Sequence, residues 1–311
     1  MPSQIVLLTH LLDIISAVLS SVFNAILIFL ILTRSPSQFG TYKYLMVFIS
    51  IFEVIMAAME AVLVPIHYSH GSVIIVMVHI PSTPFAFPLI SLLHLIFLGL
   101  FGASLGIFAL HFIYRYLAVS GNSLLKTFDS WKIFLWFQLP ISSGFAWSLA
   151  ANFLCEPDIE SNEYLREGVS RDFGEDIEDY DYRLFYLYKR SENGGITFNS
   201  ESLMAIGITF FPVALSLFLI LFFGFKCYHH ISSLMNKSTN TSYQFRIIQS
   251  QLFYALVVQT LIPVLLVHIP TALIFLKLFS KLMLKSDLRL HKMPKTGTRS
   301  TFREYVEQHF S

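Results

Sequence analysis

The chain has 311 residues, of which 55% are hydrophobic, 31 are phenylalanine and only 13% are charged. That is more apolar surface than the core of a soluble domain of this size can bury. The formal net charge is +1, so the charge balance names no partner. The composition excludes a soluble globular protein and indicates an integral membrane protein.

Six apolar runs have the length of about 20 residues that a helix needs to cross a bilayer core near 30 Å thick. They are residues 5–33, 45–64, 90–117, 133–155, 203–225 and 252–275. All six must be helices, because a span has no water to bond its backbone and no run has the alternating pattern of a barrel strand. The sequence predicts an all-α fold, a polytopic transmembrane helix bundle over residues 1–275.

Cations lie at or after the ends of the first, third and fifth spans, whereas residues 65–89 have none. These cations are Arg34 and Lys43, then Arg115, Lys126 and Lys132, then Lys226, Lys237 and Arg246. The positive-inside rule therefore predicts an extracellular N-terminus. It also puts outside the loop 156–200, which holds 12 of the 20 acidic residues. This loop is either a lid over a pocket or a solvated acidic loop.

Within the spans, the third carries Gly99 and a GASLG run at 102–106, a spacing of small residues that lets helices approach closely and predicts a central helix. Prolines interrupt the fourth to sixth spans. Pro263 lies mid-membrane in the sixth, where a bend can act as a hinge. The alternative is an ordinary membrane-helix proline.

The two cysteines, Cys155 and Cys227, lie at opposite ends of their spans, so no disulfide is expected. Many seven-helix receptors pin their second outer loop to the third helix with a disulfide, and here we expect packing alone to hold it. Neither a metal-ligand spacing nor a hydrolase or phosphate-loop motif occurs. We expect no metal, no cofactor, no nucleic-acid partner and no enzymatic activity.

The third span ends HFIYRYLAV, residues 111–119, with Arg115 between Tyr114 and Tyr116. Alone, Arg115 is better explained as an ordinary snorkelling cation. Together with the motifs at 50–65, 163–182 and 250–263, however, this segment resembles the nematode serpentine chemoreceptors of the Str type, from about residue 11 to 275.

The resemblance implies a rhodopsin-like G-protein-coupled receptor of the plasma membrane of a sensory neuron cilium. It would bind a small odorant-type molecule within the lipid bilayer and signal to a heterotrimeric G protein. Tyr114, Arg115 and Tyr116 would then form the G-protein coupling site, with Tyr114 in place of the usual acid. How Arg115 is held at rest stays open.

Ionisable residues inside spans are costly and tend to mark function. The topology puts Glu60, His94 and His268 in the outer halves of their spans, so they are the ligand-pocket candidates. The alternative for each is a hydrogen-bonded structural role. Asp13 and Glu53 are better explained as packing contacts.

Residues 276–311 replace the expected seventh helix. Lysines four residues apart predict a basic amphipathic helix rather than a span. The alternative function is therefore a truncated, non-signalling receptor variant. A small-molecule membrane transporter is the third hypothesis, and the absence of a repeated hydropathy pattern disfavours it.

Overall fold

The computed structural model describes residues 4–35, 40–190, 196–236, 243–277 and 280. The α-helices up to residue 263 are α1 (Gln4–Arg34), α2 (Tyr42–Leu63), α3 (Phe87–Ser120), α4 (Ile133–Phe153), α5 (Ile159–Phe173), α6 (Ser200–Asn236) and α7 (Tyr243–Pro263). All except α5 belong to the 6 described helices that are long and apolar enough to cross a membrane. The predicted fold class, a polytopic helical membrane bundle, is confirmed.

The predicted spans fall on α1, α2, α3, α4, α6 and α7 in that order. One large difference is at α6, which continues to Asn236 instead of ending at residue 225. The added residues 226–236 lengthen the helix by about 16 Å, at about 1.5 Å per residue. The connection between α6 and α7 is therefore shorter than the sequence indicated.

The chain forms two compact units, Met1–Val264 and Leu265–Ser311. The π-helical turn Val264–His268 follows α7, and the described chain is again α-helical over residues 269–277. Of the predicted basic tail, only residues 276, 277 and 280 are described, and the rest lies outside the described residues. The division into 1–275 and 276–311 stays a prediction.

The centre of the first unit is α3, which packs against α2, α4, α6 and α7. Its glycines lie against α4. A Cβ atom added to Gly102 would lie 2.2 Å from Trp147, and one added to Gly106 would lie 2.9 Å from the Cα atom of Pro140. A larger residue at either position would push α3 and α4 apart, as expected for small residues at a membrane helix interface.

The segments that join the helices contain strands, which the sequence analysis did not predict. In the described ranges they are β1 (Ile66–His70), β2 (Val73–His79), β3 (Tyr180–Tyr186), β4 (Tyr188–Arg190) and β5 (Ile196–Phe198). The first three form an antiparallel sheet in the order β1-β2-β3, and β4 pairs with β5. Gly71 makes the turn between β1 and β2 with φ at +57°.

Residues 156–190 fold onto this sheet through α5 and β3. The side chain of Asp158 caps the start of α5, and Gly174 ends the helix with φ at +76°. Leu165 and Val169 of α5 belong to one buried cluster with the apolar residues of β2 and β3. A solvated acidic loop is therefore wrong for this segment.

The sheet also changes how this segment is attached. β3 pairs with β2 along its whole length, from Tyr186 opposite Val73 to Tyr180 opposite His79. The expectation that packing alone holds the segment is wrong, because backbone hydrogen bonds of the β2–β3 ladder join it to the connection before α3.

Candidate functional site

Arg115 lies near the end of α3, and only 2% of it is exposed. Its Nη2 donates a hydrogen bond to the backbone carbonyl oxygen of Gln249 in α7 at 2.8 Å. The ring of Tyr42, at the start of α2, lies 5.0 Å from the guanidinium carbon. We call Arg115, Gln249 and Tyr42 the arginine latch. The latch joins α2, α3 and α7, so Arg115 does not extend to water as a snorkelling cation would.

The arginine latch contains no carboxylate. Tyr114 stands where an acid would precede the arginine, and its ring stacks on Tyr42 at a centroid distance of 5.1 Å. Among the described ion pairs, none involves Arg115. Arg115 is therefore held by a main-chain acceptor and an aromatic face. Both kinds of partner suit a buried guanidinium, which donates hydrogen bonds and stacks on aromatic rings.

Tyr116, the third predicted coupling residue, faces α6. Its ring centroid lies 5.5 Å from that of Phe223, and the Nζ atom of Lys226 lies 5.6 Å from the Tyr116 centroid. Tyr114, Arg115 and Tyr116 thus lie at one end of α3 but contact different helices. Within the described residues, the hydrogen bond to α7 comes from Arg115.

A second buried polar group lies at the opposite end of α3, and we call His94, Asp181, Arg183 and Ser91 the sheet cluster. Nδ1 of His94 is 2.7 Å from Oδ2 of Asp181 in β3, and both residues are buried. Arg183 donates from Nη1 to the other carboxylate oxygen at 3.2 Å and from Nη2 to Oγ of Ser91 at 2.8 Å. The sheet cluster ties β3 to the start of α3.

The protonation of the sheet cluster follows from its contacts. Burial acts to raise the pKa of Asp181, but the hydrogen bond from His94 and the charge of Arg183 outweigh burial, so the pKa is lowered. Asp181 is therefore a carboxylate and can only accept hydrogen bonds. Nδ1 of His94 must be the donor, and Nε2 of His94 has no hydrogen-bond partner among the described residues.

The other two ligand-pocket candidates have different surroundings. Glu60 is exposed on α2, close enough to Asp13 of α1 to interact with it electrostatically. His268 is half-buried at the end of the π-helical turn, in the second unit. Pro263, the predicted hinge, is the last residue of α7 before that turn. The described contacts do not join Glu60 and His94 into one site.

Glu53 lies in a polar contact between helices. Its Oε1 accepts a hydrogen bond from Nε2 of Gln259 in α7 at 2.8 Å, and Asn24 of α1 also bonds its carboxyl group. These contacts agree with the packing role expected for Glu53. In the described part of the chain, no group of three or more His, Cys, Asp or Glu residues could hold a metal ion.

An apolar groove of about 400 Å³ opens between α2, α3 and α4. Aromatic residues such as Phe48, Phe52 and Phe137 form its walls, and Gly99 and Gly144 form part of its floor. The volume falls within the range of about 300–1,000 Å³ of small-molecule pockets. Phe48 and Phe145 at the rim are exposed, so the groove opens toward the lipid side of the helices.

Several residues of these sites were not found from the sequence. The alternation of aromatic and polar residues at the start of Tyr180–Tyr186 is a strand signal. A strand there would have placed Asp181 and Arg183, two residues apart, on the same face. Gln249 leaves no signal, because it contributes a backbone carbonyl that every residue has. Tyr42 lies at the start of a span, where aromatic residues are common.

Six described helices of membrane-crossing length define a multi-pass membrane protein. The family model described as serpentine type 7TM GPCR chemoreceptor Str matches residues 9–290. The chain therefore belongs to this family of chemosensory G-protein-coupled receptors, and the resemblance found in the sequence is confirmed.

Curated relatives carry the same kind of name. G-protein coupled receptor str-217 of Caenorhabditis elegans is 33% identical over 265 residues, which cover 84% of this chain and 75% of the relative. Serpentine receptor class r-10 of the same organism is 29% identical over 280 residues, covering 88% of this chain and 79% of the relative. No solved structure matches the chain.

Proposed function

We propose that this protein binds a small odorant-type molecule and signals to a heterotrimeric G protein. The observation that carries the proposal is the arginine latch, in which Arg115 of α3 is hydrogen-bonded to the main chain of α7 at 2.8 Å. A contact between two helices at one end of a bundle can have a closed and an open arrangement. Its opening would uncover Tyr114, Arg115 and Tyr116 for the G protein.

Signalling in this proposal is a population shift. A ligand that prefers the open bundle stabilises it by its difference in affinity for the two states. The latch opposes opening with a hydrogen bond from a charged group, about 1.5–3 kcal/mol, and a cation–π contact, about 0.5–2 kcal/mol. A ligand must supply a differential affinity of this order to open the latch, which is within reach of a small molecule.

Ligand recognition is proposed for the half of the bundle that carries the sheet. Glu60 and His94 stay candidate polar contacts there, and the free Nε2 of His94 among the described residues supports that role. His268, in the second unit, stays a separate candidate. The apolar groove between α2, α3 and α4 lies nearer the middle of the bundle and offers walls suited to a volatile molecule. Pro263 is proposed as the hinge, because a π-helical turn follows it directly.

The proposed orientation has the N-terminus and the sheet outside the cell and the arginine latch inside. It follows from the cations at or after the ends of the first, third and fifth spans, since such cations accumulate on the cytoplasmic side. The proposed location is the plasma membrane of a sensory neuron cilium, where the family would meet its ligands and its G protein.

The test uses the full chain with an N-terminal tag, expressed in cells with a second-messenger reporter and a panel of volatile compounds. Arg115→Ala should abolish the response and leave surface staining unchanged. Lys132→Ala removes an exposed cation near the start of α4 and is the matched control, which should respond like the original chain. A full response from Arg115→Ala at equal surface level would reduce Arg115 to a packing residue.

A further inference from the structure

A small cavity lies between α1, α2, α3 and α7, within the first compact unit. Its volume is about 40 Å³. Most of its wall is apolar, and its polar lining consists of Tyr42, Ser50, His111 and Gln259. It adjoins the arginine latch, because the Tyr42 ring lies 5.7 Å from that of His111 and 5.0 Å from the guanidinium carbon of Arg115.

Two polar atoms in this wall lack a hydrogen-bond partner in the described part of the chain. Oγ of Ser50 and Nε2 of His111 are both buried, and neither forms a hydrogen bond with any described residue. Ser50 is 0% exposed and His111 is 1% exposed. Roughly nine in ten or more buried polar groups have a partner in the protein or in ordered water. Two orphan atoms on one small cavity therefore point to an occupant that bonds both.

The chemistry of His111 defines what the occupant must offer. The imidazole already forms a hydrogen bond with the backbone of Leu45. Because a backbone carbonyl accepts, the ring nitrogen that bonds it carries the proton, and the neutral ring leaves Nε2 as an acceptor. The occupant must therefore donate a hydrogen bond to Nε2 and also bond the hydroxyl of Ser50.

The volume of the cavity and the lack of acidic residues in its lining exclude an organic ligand and a metal ion, so water is the occupant that fits. A cavity needs about 10–15 Å³ of such volume for one water molecule, so this cavity has room for about three or four. It is far smaller than the roughly 300 Å³ at which ligand pockets begin. No acidic side chain is among its lining residues, so nothing there would neutralise a metal ion.

We propose that this cavity is a hydration site, in which ordered water bridges Nε2 of His111 in α3 to Oγ of Ser50 in α2 beside the arginine latch. The amide of Gln259 brings α7 to the same water. The bridge replaces a direct contact between α2 and α3 and joins three helices at membrane depth, where no bulk solvent is available to bond them.

Radiolytic hydroxyl-radical footprinting of the purified full chain in detergent tests the proposal, because bound water is the local source of radicals. Met46 lines the cavity, whereas Met56, which is half-buried like Met46 and lies on the same helix, packs against an apolar cluster. In water labelled with ¹⁸O, labelled oxidation of Met46 should be several-fold faster than that of Met56. Equal rates for the two methionines would overturn the proposal, and this comparison needs no variant.

Substitution of Ser50 gives a second test, because the melting temperature should change in opposite directions for a hydrated and a dry cavity. In a hydrated site, Ser50→Ala removes a partner of the water, so it should slow the oxidation of Met46 and lower the melting temperature. In a dry site the same change removes an unpaired hydroxyl group, so the melting temperature would rise and the oxidation of Met46 would not change. The second pair of results would refute the hydration site.

Discussion

Nη2 of Arg115 and the backbone carbonyl oxygen of Gln249 are 2.8 Å apart, so α3 is bonded to the main chain of α7 and not to an acidic side chain. A carbonyl has no proton to gain near neutral pH, and every residue at position 249 would supply the same acceptor. The restraint on Arg115 therefore depends on the path of the α7 backbone and on the Tyr42 ring. Gln249→Ala should leave it intact.

The Tyr42 ring is the part of the latch that substitution can remove. Tyr42→Leu keeps an apolar side chain but loses the aromatic face over Arg115, a contact of about 0.5–2 kcal/mol. The closed state should lose that stabilisation, and ligand-free signalling per receptor should rise by about 2- to 30-fold. The measurement is basal second-messenger output normalised to surface staining.

Tyr42→Phe is the matched control for the latch, because it retains the ring over the guanidinium. Its basal output should stay within about twofold of that of the original chain. A twofold change corresponds to about 0.5 kcal/mol, the smallest effect expected from losing the cation–π contact. If Tyr42→Leu and the original chain gave equal basal output at equal surface level, the ring would have no part in restraining Arg115.

Asp181 should make the stability of the sheet cluster, and of the β1-β2-β3 sheet that it ties to α3, depend on pH. Its pKa is lowered below the usual 3.8 in the folded state, so the unfolded state binds a proton more readily. The stabilisation is fully present above the unfolded pKa and is lost as the pH falls through the lower, folded pKa. Melting temperatures of the purified protein should therefore decline below about pH 4.

Asp181→Asn separates this effect from general acid damage. The amide cannot carry the charge that Arg183 and His94 bond, and we expect a loss of about 1–3 kcal/mol at neutral pH. The variant should also show a smaller decline between pH 5 and about pH 3 than the original chain. A parallel decline in both proteins would mean that other carboxyl groups dominate.

Features that depend on local sequence could be predicted, whereas contacts between residues distant in the sequence could not. The six spans depend on local composition, so they were predicted from runs of apolar residues. The His94–Asp181 contact joins residues 87 positions apart, and nothing in either local sequence specifies the other. Arg115 was found because a cation beside a span is a local feature, but its acceptor in α7 depends on how two helices pack.

Substitution of a glycine by alanine should destabilise the protein at the α3–α4 contact but not at an open position. A Cβ atom on Gly144 would lie 2.9 Å from the backbone oxygen of Gly99, which can move only with its helix. Gly144→Ala should therefore destabilise the bundle by about 1–3 kcal/mol, the usual result of overpacking. Thermal inactivation in detergent, followed by size-exclusion chromatography, measures the change.

Gly207 in α6 provides the matched control. A Cβ atom there would meet nothing within 4 Å, so Gly207→Ala adds a methyl group in open space and improves helix propensity by up to about 1 kcal/mol. It should melt at the same temperature as the original chain or higher. If the two substitutions had the same effect, close packing of α3 on α4 would not explain the glycines.

The proposed orientation can be tested with glycosylation acceptors, because N-glycans are added only on the luminal side, which becomes the outside. The acceptor sequences Asn236-Lys237-Ser238 and Asn240-Thr241-Ser242 both follow the fifth span, on the proposed inner side. The original chain should show no mobility shift on glycosidase treatment. A shift that disappears with Asn236→Gln and Asn240→Gln would reverse the orientation.

A gain of glycosylation on the other side completes this test, since a missing glycan alone has several causes. Asn193-Gly194-Gly195 lies between α5 and α6, and Gly195→Thr turns it into an acceptor without touching a described contact. If the sheet side is extracellular, this variant should gain a glycan of about 2–3 kDa that glycosidase removes, because an acceptor in an outer loop is accessible. Glycosylation of the native sites together with none at the new one would put the arginine latch outside the cell, where no G protein could reach it.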